Sequence, residues 1–121
     1  MSLCVIAIDD SPLFRELIAG ALRQAGFKVL EAENGQQGLD LVRQNKTDVV
    51  VTDLNMPVMD GMAMTQQLRD NTETRGIPVI MVSTEATRQR RAEGRRVGVT
   101  GWIAKPFEPE RLIGAVRRVC G

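Results

Sequence analysis

Five residues in this chain are of the types that handle a transferred charged group: Asp9 and Asp10 in "IDDSP", Asp53 in "VVVTDLNMPVMDGM", Ser83 in "MVSTE" and Lys105 in "AKPF". Asp53 raises the sharpest question, because three valines and a threonine that read as a doubly buried strand run directly into its carboxylate. A rigid strand ending in an acid aims that acid into a crevice. Three carboxylates gathered there repel, and at least one takes up a proton unless a cation joins them. Only oxygen ligands are on offer, which suits Mg²⁺ or Mn²⁺ and disfavours zinc or copper. The expected ligands are Asp10, Asp53 and the backbone carbonyl of Asn55, with Asp9 as an outer acceptor for a coordinated water. Such an ion leaves part of its octahedron to water or phosphate oxygens. Asp53 is then the expected nucleophile toward phosphorus, with Lys105 neutralising the equatorial oxygens and the Ser83 hydroxyl donating to one of them.

Elements that can bring these residues together follow from the hydrophobic pattern. Short apolar runs at 4–8, 28–32, 48–53, 77–83 and 100–104 read as five strands, four of them nearly continuous in apolar character. Amphipathic stretches separate them. The first places Leu13, Phe14, Leu17, Ile18, Ala21 and Leu22 on one stripe, with Ser11 as N-cap, Pro12 in the first turn and Gly26 as the stop. The last carries Leu112, Ile113, Val116 and Val119 after "FEPE". Strand–helix alternation repeated five times predicts an α/β fold, an open, doubly wound parallel sheet covered by helices on both faces. In such sheets ligands bind beyond the carboxyl ends of the strands. All five chemical residues fall there.

Composition narrows the function classes. The 121 residues suffice for one domain, 1–121, and a formal charge of +1 gives no whole-molecule signature for nucleic acid. Histidine is absent, which excludes Ser-His or Cys-His catalysis, imidazole zinc sites and phosphohistidine formation on this chain. Two cysteines argue against a disulfide framework and for a reducing, cytoplasmic compartment. No apolar run approaches the roughly 18 residues of a membrane span.

"DD" after strand 1, "DLNMPVMDG" after strand 3, "VST" after strand 4 and "KPF" after strand 5 together resemble the receiver domain of two-component response regulators, and more specifically the stand-alone, chemotaxis-type CheY-like proteins. The resemblance runs from about Val5 to Val119. It implies five strands in the order 2-1-3-4-5 with five helices, phosphorylation of Asp53 by a sensor histidine kinase or a small phosphodonor, and a cis peptide before Pro106. It also implies a partner-binding face on helix 4, strand 5 and helix 5, and a monomer or weak dimer that catalyses only its own phosphorylation and dephosphorylation. Trp102 takes the place of a switch aromatic that pairs with Ser83, and its bulk is expected to limit the inward rotamer. Asn55 and Glu85 flank the path of the hydrolytic water and are expected to tune phosphate lifetime. Two other readings stand beside this one: a phosphorylation-independent binding module, and an aspartyl-phosphate hydrolase, which Asn55 disfavours because it cannot protonate a leaving group.

Simpler readings apply to several of these residues. Asp9 and Asp10 can be helix caps, Asp60-Gly61 reads as an ordinary turn, and Trp102 as packing. The stretch 85–98 should be helix 4, yet Gly94 costs about 1 kcal/mol against alanine in a helix interior. It has few apolar anchors and many cations, among them Arg88, Arg91 and Arg95. A marginal, mobile helix is expected there, ordered by phosphorylation. Its simplest reading is a solvated helix face; as part of a partner face with Trp102, its charge suggests an acidic target or a kinase domain with acidic rim residues, and no nucleic acid or membrane insertion is expected.

Overall fold

The computed structural model describes residues 2–120. The elements are β1 (Cys4–Ile8), α1 (Pro12–Gln24), β2 (Lys28–Ala32), α2 (Gly35–Gln44), β3 (Val49–Thr52), α3 (Gly61–Asp70), β4 (Val79–Ser83), α4 (Arg88–Val97), β5 (Gly101–Ala104) and α5 (Pro109–Cys120). The five strands are parallel and ordered β2-β1-β3-β4-β5, as expected. β1 and β2 coincide with the apolar runs, whereas β3, β4 and β5 are one or two residues shorter than theirs. Asp53 lies just past β3, where its N–H donates to the Ile8 carbonyl at 2.9 Å. At the other end, the Asp48 carboxylate leaves the strand to accept from Cys4 N at 2.7 Å.

Side chains alternate across the sheet and divide the core in two. Val5, Val51 and Val82 face α1 and α5, packing on Ile18, Leu22 and Leu112. Ile6, Ile8 and Val50 face α2 and α3, packing on Leu39, Met64 and Leu68. Truncating a fully buried member such as Leu22 to alanine costs about 2–5 kcal/mol. A third, smaller cluster of Leu54, Met81 and Val99 sits under α4. Only one residue of α4, Gly94, is buried.

Helix α1 begins as expected: Ser11 Oγ accepts from Phe14 N, Pro12 opens the helix, and Gly26 at φ +96° follows its last turn. The predicted apolar stripe is only half right. Ile18, Ala19 and Leu22 are buried, whereas Leu13 is 64% exposed and Leu17 50% exposed. Leu17, with Ala21 and Ala25, instead lines a groove of about 670 Å³ between α1 and α5. Both cysteines are free, and among the described residues no helix is long and apolar enough to cross a membrane.

Candidate functional site

Parallel strands of one hand deliver their carboxyl ends to one rim, and the register aligns Ile8 of β1 with Thr52 of β3. Asp9 and Asp53 therefore emerge side by side. Asp10 joins them, and one ligand oxygen from each of the three acids lies within 4.8 Å of the others. Asp9 is fully buried, Asp53 nearly so, and Asp10 exposed.

Each acid has a different set of partners. Asp9 Oδ1 accepts from Ser11 N at 2.9 Å and its Oδ2 from Lys105 Nζ at 2.7 Å. Asp9 is thus no helix cap; Ser11 takes that position. Asp53 Oδ1 accepts from Leu54 N at 2.8 Å and lies 3.4 Å from Lys105 Nζ. Of its two carboxylate neighbours Lys105 lies closer to Asp9 than to Asp53. It is almost wholly buried, over the Phe14 ring at 4.3 Å from the centroid. The Lys105–Pro106 peptide is cis.

Electrostatics single out Asp53. Burial raises the pKa of its carboxyl, the Asp9 charge raises it further, and Lys105 with the Leu54 amide opposes both. An all-oxygen trio with one acid forced toward its protonated form fits a hard divalent cation, which would relieve the repulsion directly.

At the end of β4, Ser83 is buried and the neighbouring Thr84 exposed, which settles which hydroxyl faces inward. Ser83 Oγ accepts from Glu85 N at 3.1 Å. The Glu85 carboxylate bridges two elements: Oε1 accepts from Asn55 Nδ2 at 2.8 Å, and Oε2 from Arg90 Nε of α4 at 2.8 Å. These two bonds, Arg90 first, hold its pKa below the ordinary glutamate value. Sequence reasoning set Asn55 and Glu85 beside the path of the hydrolytic water but gave neither their mutual bond nor Arg90, whose partner is set by how α4 is placed.

Trp102 is half-buried beside Leu54 and Met81, and its indole N–H donates to the Glu85 carbonyl at 3.0 Å. Gly94 makes room for the indole in this position: a Cβ at 94 would lie 2.7 Å from Trp102 Cζ3. Helix 4 also starts later than expected, at Arg88, capped by Thr87 Oγ1 and ended by Gly98 at φ +101°. Arg88 and Arg95 project into solvent, and Arg91 is half-exposed with its Nε on the Ala86 carbonyl.

Asp60-Gly61 is more than a turn. Asp60 Oδ1 caps α3 through Ala63 N at 2.8 Å, and a Cβ on Gly61 would strike the Asp53 carbonyl. The same loop holds Val58 at φ +71°, closed by a Met59 N to Pro57 O bond of 2.8 Å, a strained conformation for a β-branched residue. An Asp-Gly step at the head of a helical pattern was the available signal for the cap; nothing in the sequence marked Val58.

Comparison with known proteins agrees with this geometry. Residues 5–117 match the family model of the response regulator receiver domain. Protein PilH of Pseudomonas aeruginosa is 37% identical over 115 residues, covering 95% of each chain, and chemotaxis protein CheY-3 of Vibrio cholerae is 36% identical over 109 residues, covering 89% of this chain and 84% of its own. The crystal structure of Vibrio cholerae CheY4 superposes with a TM-score of 0.93 at 35% identity, over 98% of this chain and 99% of that one. The receiver domain of a Pseudomonas aeruginosa sensor histidine kinase superposes at 0.92 with 25% identity, over 100% of this chain and 99% of its own, and that crystal has a magnesium ion coordinated in its active-site cleft. With motif order, sheet topology and carboxylate cluster all in agreement, the chain belongs to the response regulator receiver domain family.

Proposed function

We propose that this chain is a phosphorylation-controlled binding switch of a chemotaxis-type two-component pathway, with Asp53 as the phosphoryl acceptor. The observation that carries the reading is the convergence of Asp9, Asp10 and Asp53 with a buried lysine at the carboxyl rim of the sheet. Asp10, Asp53 and the Asn55 backbone carbonyl would hold Mg²⁺, with Asp9 in the outer shell. When bound, that ion supplies charge neutralisation for the phosphoryl oxygens. Asp53 Oδ2, which has no protein donor among the described residues, attacks phosphorus in line. The bond to the donor breaks, and its electron pair leaves with a kinase imidazole nitrogen or with the oxygen of a small phosphodonor. Lys105 shifts from Asp9 toward the new phosphoryl oxygens, a short move given its 3.4 Å separation from Asp53 Oδ1. The Ser83 hydroxyl donates to another.

The switch follows from what Ser83 and Glu85 already hold. Ser83 Oγ holds the Glu85 amide, and the Glu85 carbonyl holds the Trp102 indole, which fills the socket at Gly94. A phosphoryl group that draws Ser83 inward therefore pulls the loop before α4 and biases the α4/β5/α5 face toward its partner-binding state. Intact mass after incubation with a small phosphodonor and Mg²⁺ tests the proposal. The expected result is a gain of one phosphoryl group in the parent and none in Asp53→Asn; equal labelling of both defeats it.

A further inference from the structure

The two edges of the sheet are protected differently. On the β2 edge, exposed Lys28 and Glu31 stand within the strand itself, the usual defence against pairing with another chain. On the β5 edge, Gly101–Ala104 carries no charge or proline and, among the described residues, pairs only with β4. Lys105 N donates to Ser83 O, so strand alternation turns the N–H and C=O of Trp102 and Ala104 toward the open side.

Arginines line this edge on both flanks. On the α4 side, Arg88, Arg91 and Arg95 line a cleft of about 360 Å³, which continues past Arg91 and Arg95 into a hollow bounded by Thr100, Gly101 and Trp102. On the α5 side, a cleft of about 430 Å³ runs from Gly101 and Trp102 to Arg111 and Arg118. Among the described residues, none of these five arginines is ion-paired; the α4 arginine that is paired, Arg90, points to Glu85 instead. Unpaired cations thus stand on both sides of one strand, in a chain with a formal charge of only +1, an arrangement that favours an acidic partner.

We infer that the open edge of β5 receives an extended acidic segment of a partner protein, paired as a sixth strand, with its carboxylates met by Arg91 and Arg95 on one side and Arg111 and Arg118 on the other. Main-chain bonds to Trp102 and Ala104 supply affinity, and bidentate arginine–carboxylate contacts supply selection and register. A helical partner would leave the edge amides unused, and a nucleic acid would bring backbone charge without strand hydrogen bonds. This inference rests on the reading of α4, β5 and α5 as the output face.

A synthetic peptide of alternating Glu and Thr serves as the probe, with a Lys–Thr peptide as control. Trp102 is the only tryptophan, so its fluorescence reports binding, and amide exchange reports pairing. The acidic peptide should bind in the phosphorylated form, slow exchange at Trp102 and Ala104, and lose about tenfold or more in affinity in both Arg91→Glu/Arg95→Glu and Arg111→Glu/Arg118→Glu. Arg43→Glu/Lys46→Glu, an equal change of charge at the end of α2 and in the loop after it, should bind as the parent does. Equal loss in that control, binding without protection of the two amides, or a single-stranded oligonucleotide bound as tightly through the same arginines would each overturn the inference. Phosphoryl uptake is read separately by mass: uptake without peptide binding sinks this inference alone, and binding without uptake sinks only the phosphoacceptor reading.

Discussion

Gly94 of α4 and Trp102 of β5 fit together as socket and plug: the indole edge occupies the space that a Cβ at position 94 would need, 2.7 Å from Cζ3. A glycine that weakens the helix in isolation thus fits the tertiary packing. Gly94→Ala should gain about 1 kcal/mol of helix propensity and lose more through overpacking, about 1–3 kcal/mol, for a net loss of stability and a red-shifted tryptophan emission. In a Trp102→Ala background the same substitution should stabilise. Additive effects in that double-mutant cycle would exclude the fit.

The raised pKa of Asp53 sets a pH dependence of stability. The folded state holds this proton more tightly than the unfolded state, whose value is about 3.9. Below that value both states are protonated and there is no penalty. As pH rises from there through the folded value the unfolded state sheds its proton first, so stability falls and the full penalty remains above it. Asp53→Asn should therefore melt higher than the metal-free parent at neutral pH, by roughly 4 °C per kcal/mol removed, and the gap should close in acid. Mg²⁺ should raise the melting temperature of the parent at neutral pH and much less that of the variant. Calorimetry across pH with and without the ion checks both.

Phosphate lifetime should depend on the Glu85 bridge. Asn55 and Glu85 are polar and mutually bonded at 2.8 Å, beside the residue proposed to carry phosphate. A phosphate lasting seconds to minutes is expected, with longer retention in Glu85→Leu and Asn55→Met, which lack groups able to orient water. Loss of label at the parental rate in both variants would count against the assignment.

Val58 carries local strain at φ +71°, is 81% exposed and is free of core packing. Replacing it with glycine removes the penalty on the β-branched side chain and should stabilise by about 1 kcal/mol, less the added chain entropy of the unfolded state. Chemical denaturation with an unchanged slope is the appropriate measurement. A destabilised Val58→Gly would show that the turn is not strained.

Helix α4 is capped at both ends, and Arg69 of α3 adds two bonds to the Gly98 carbonyl, at 3.1 and 2.8 Å. Its interior, however, buries only Gly94, so few apolar contacts resist opening. Amides of α4 should exchange faster than those of α1 without phosphate and slow on activation with beryllofluoride. Protection equal to α1 in the unmodified protein would contradict a mobile helix 4.

Hydrophobic periodicity alone determined the alternation of strands and helices, and with it the rim where Asp9, Asp10, Asp53, Ser83 and Lys105 meet, because those patterns are local and parallel crossovers have one hand. The α1 cap at Ser11 and stop at Gly26 were legible for the same reason: each acts within a few residues of itself. Tertiary structure alone decided the partners. Lys105 reaches back across 96 positions to Asp9, and Asn55 meets Glu85 across 30, so both contacts depend on the strand order and register of the sheet. The burial of Gly94, the exposure of Leu13 and Leu17 and the choice of Arg90 over its neighbours likewise depend on where whole helices sit, which no window of sequence contains.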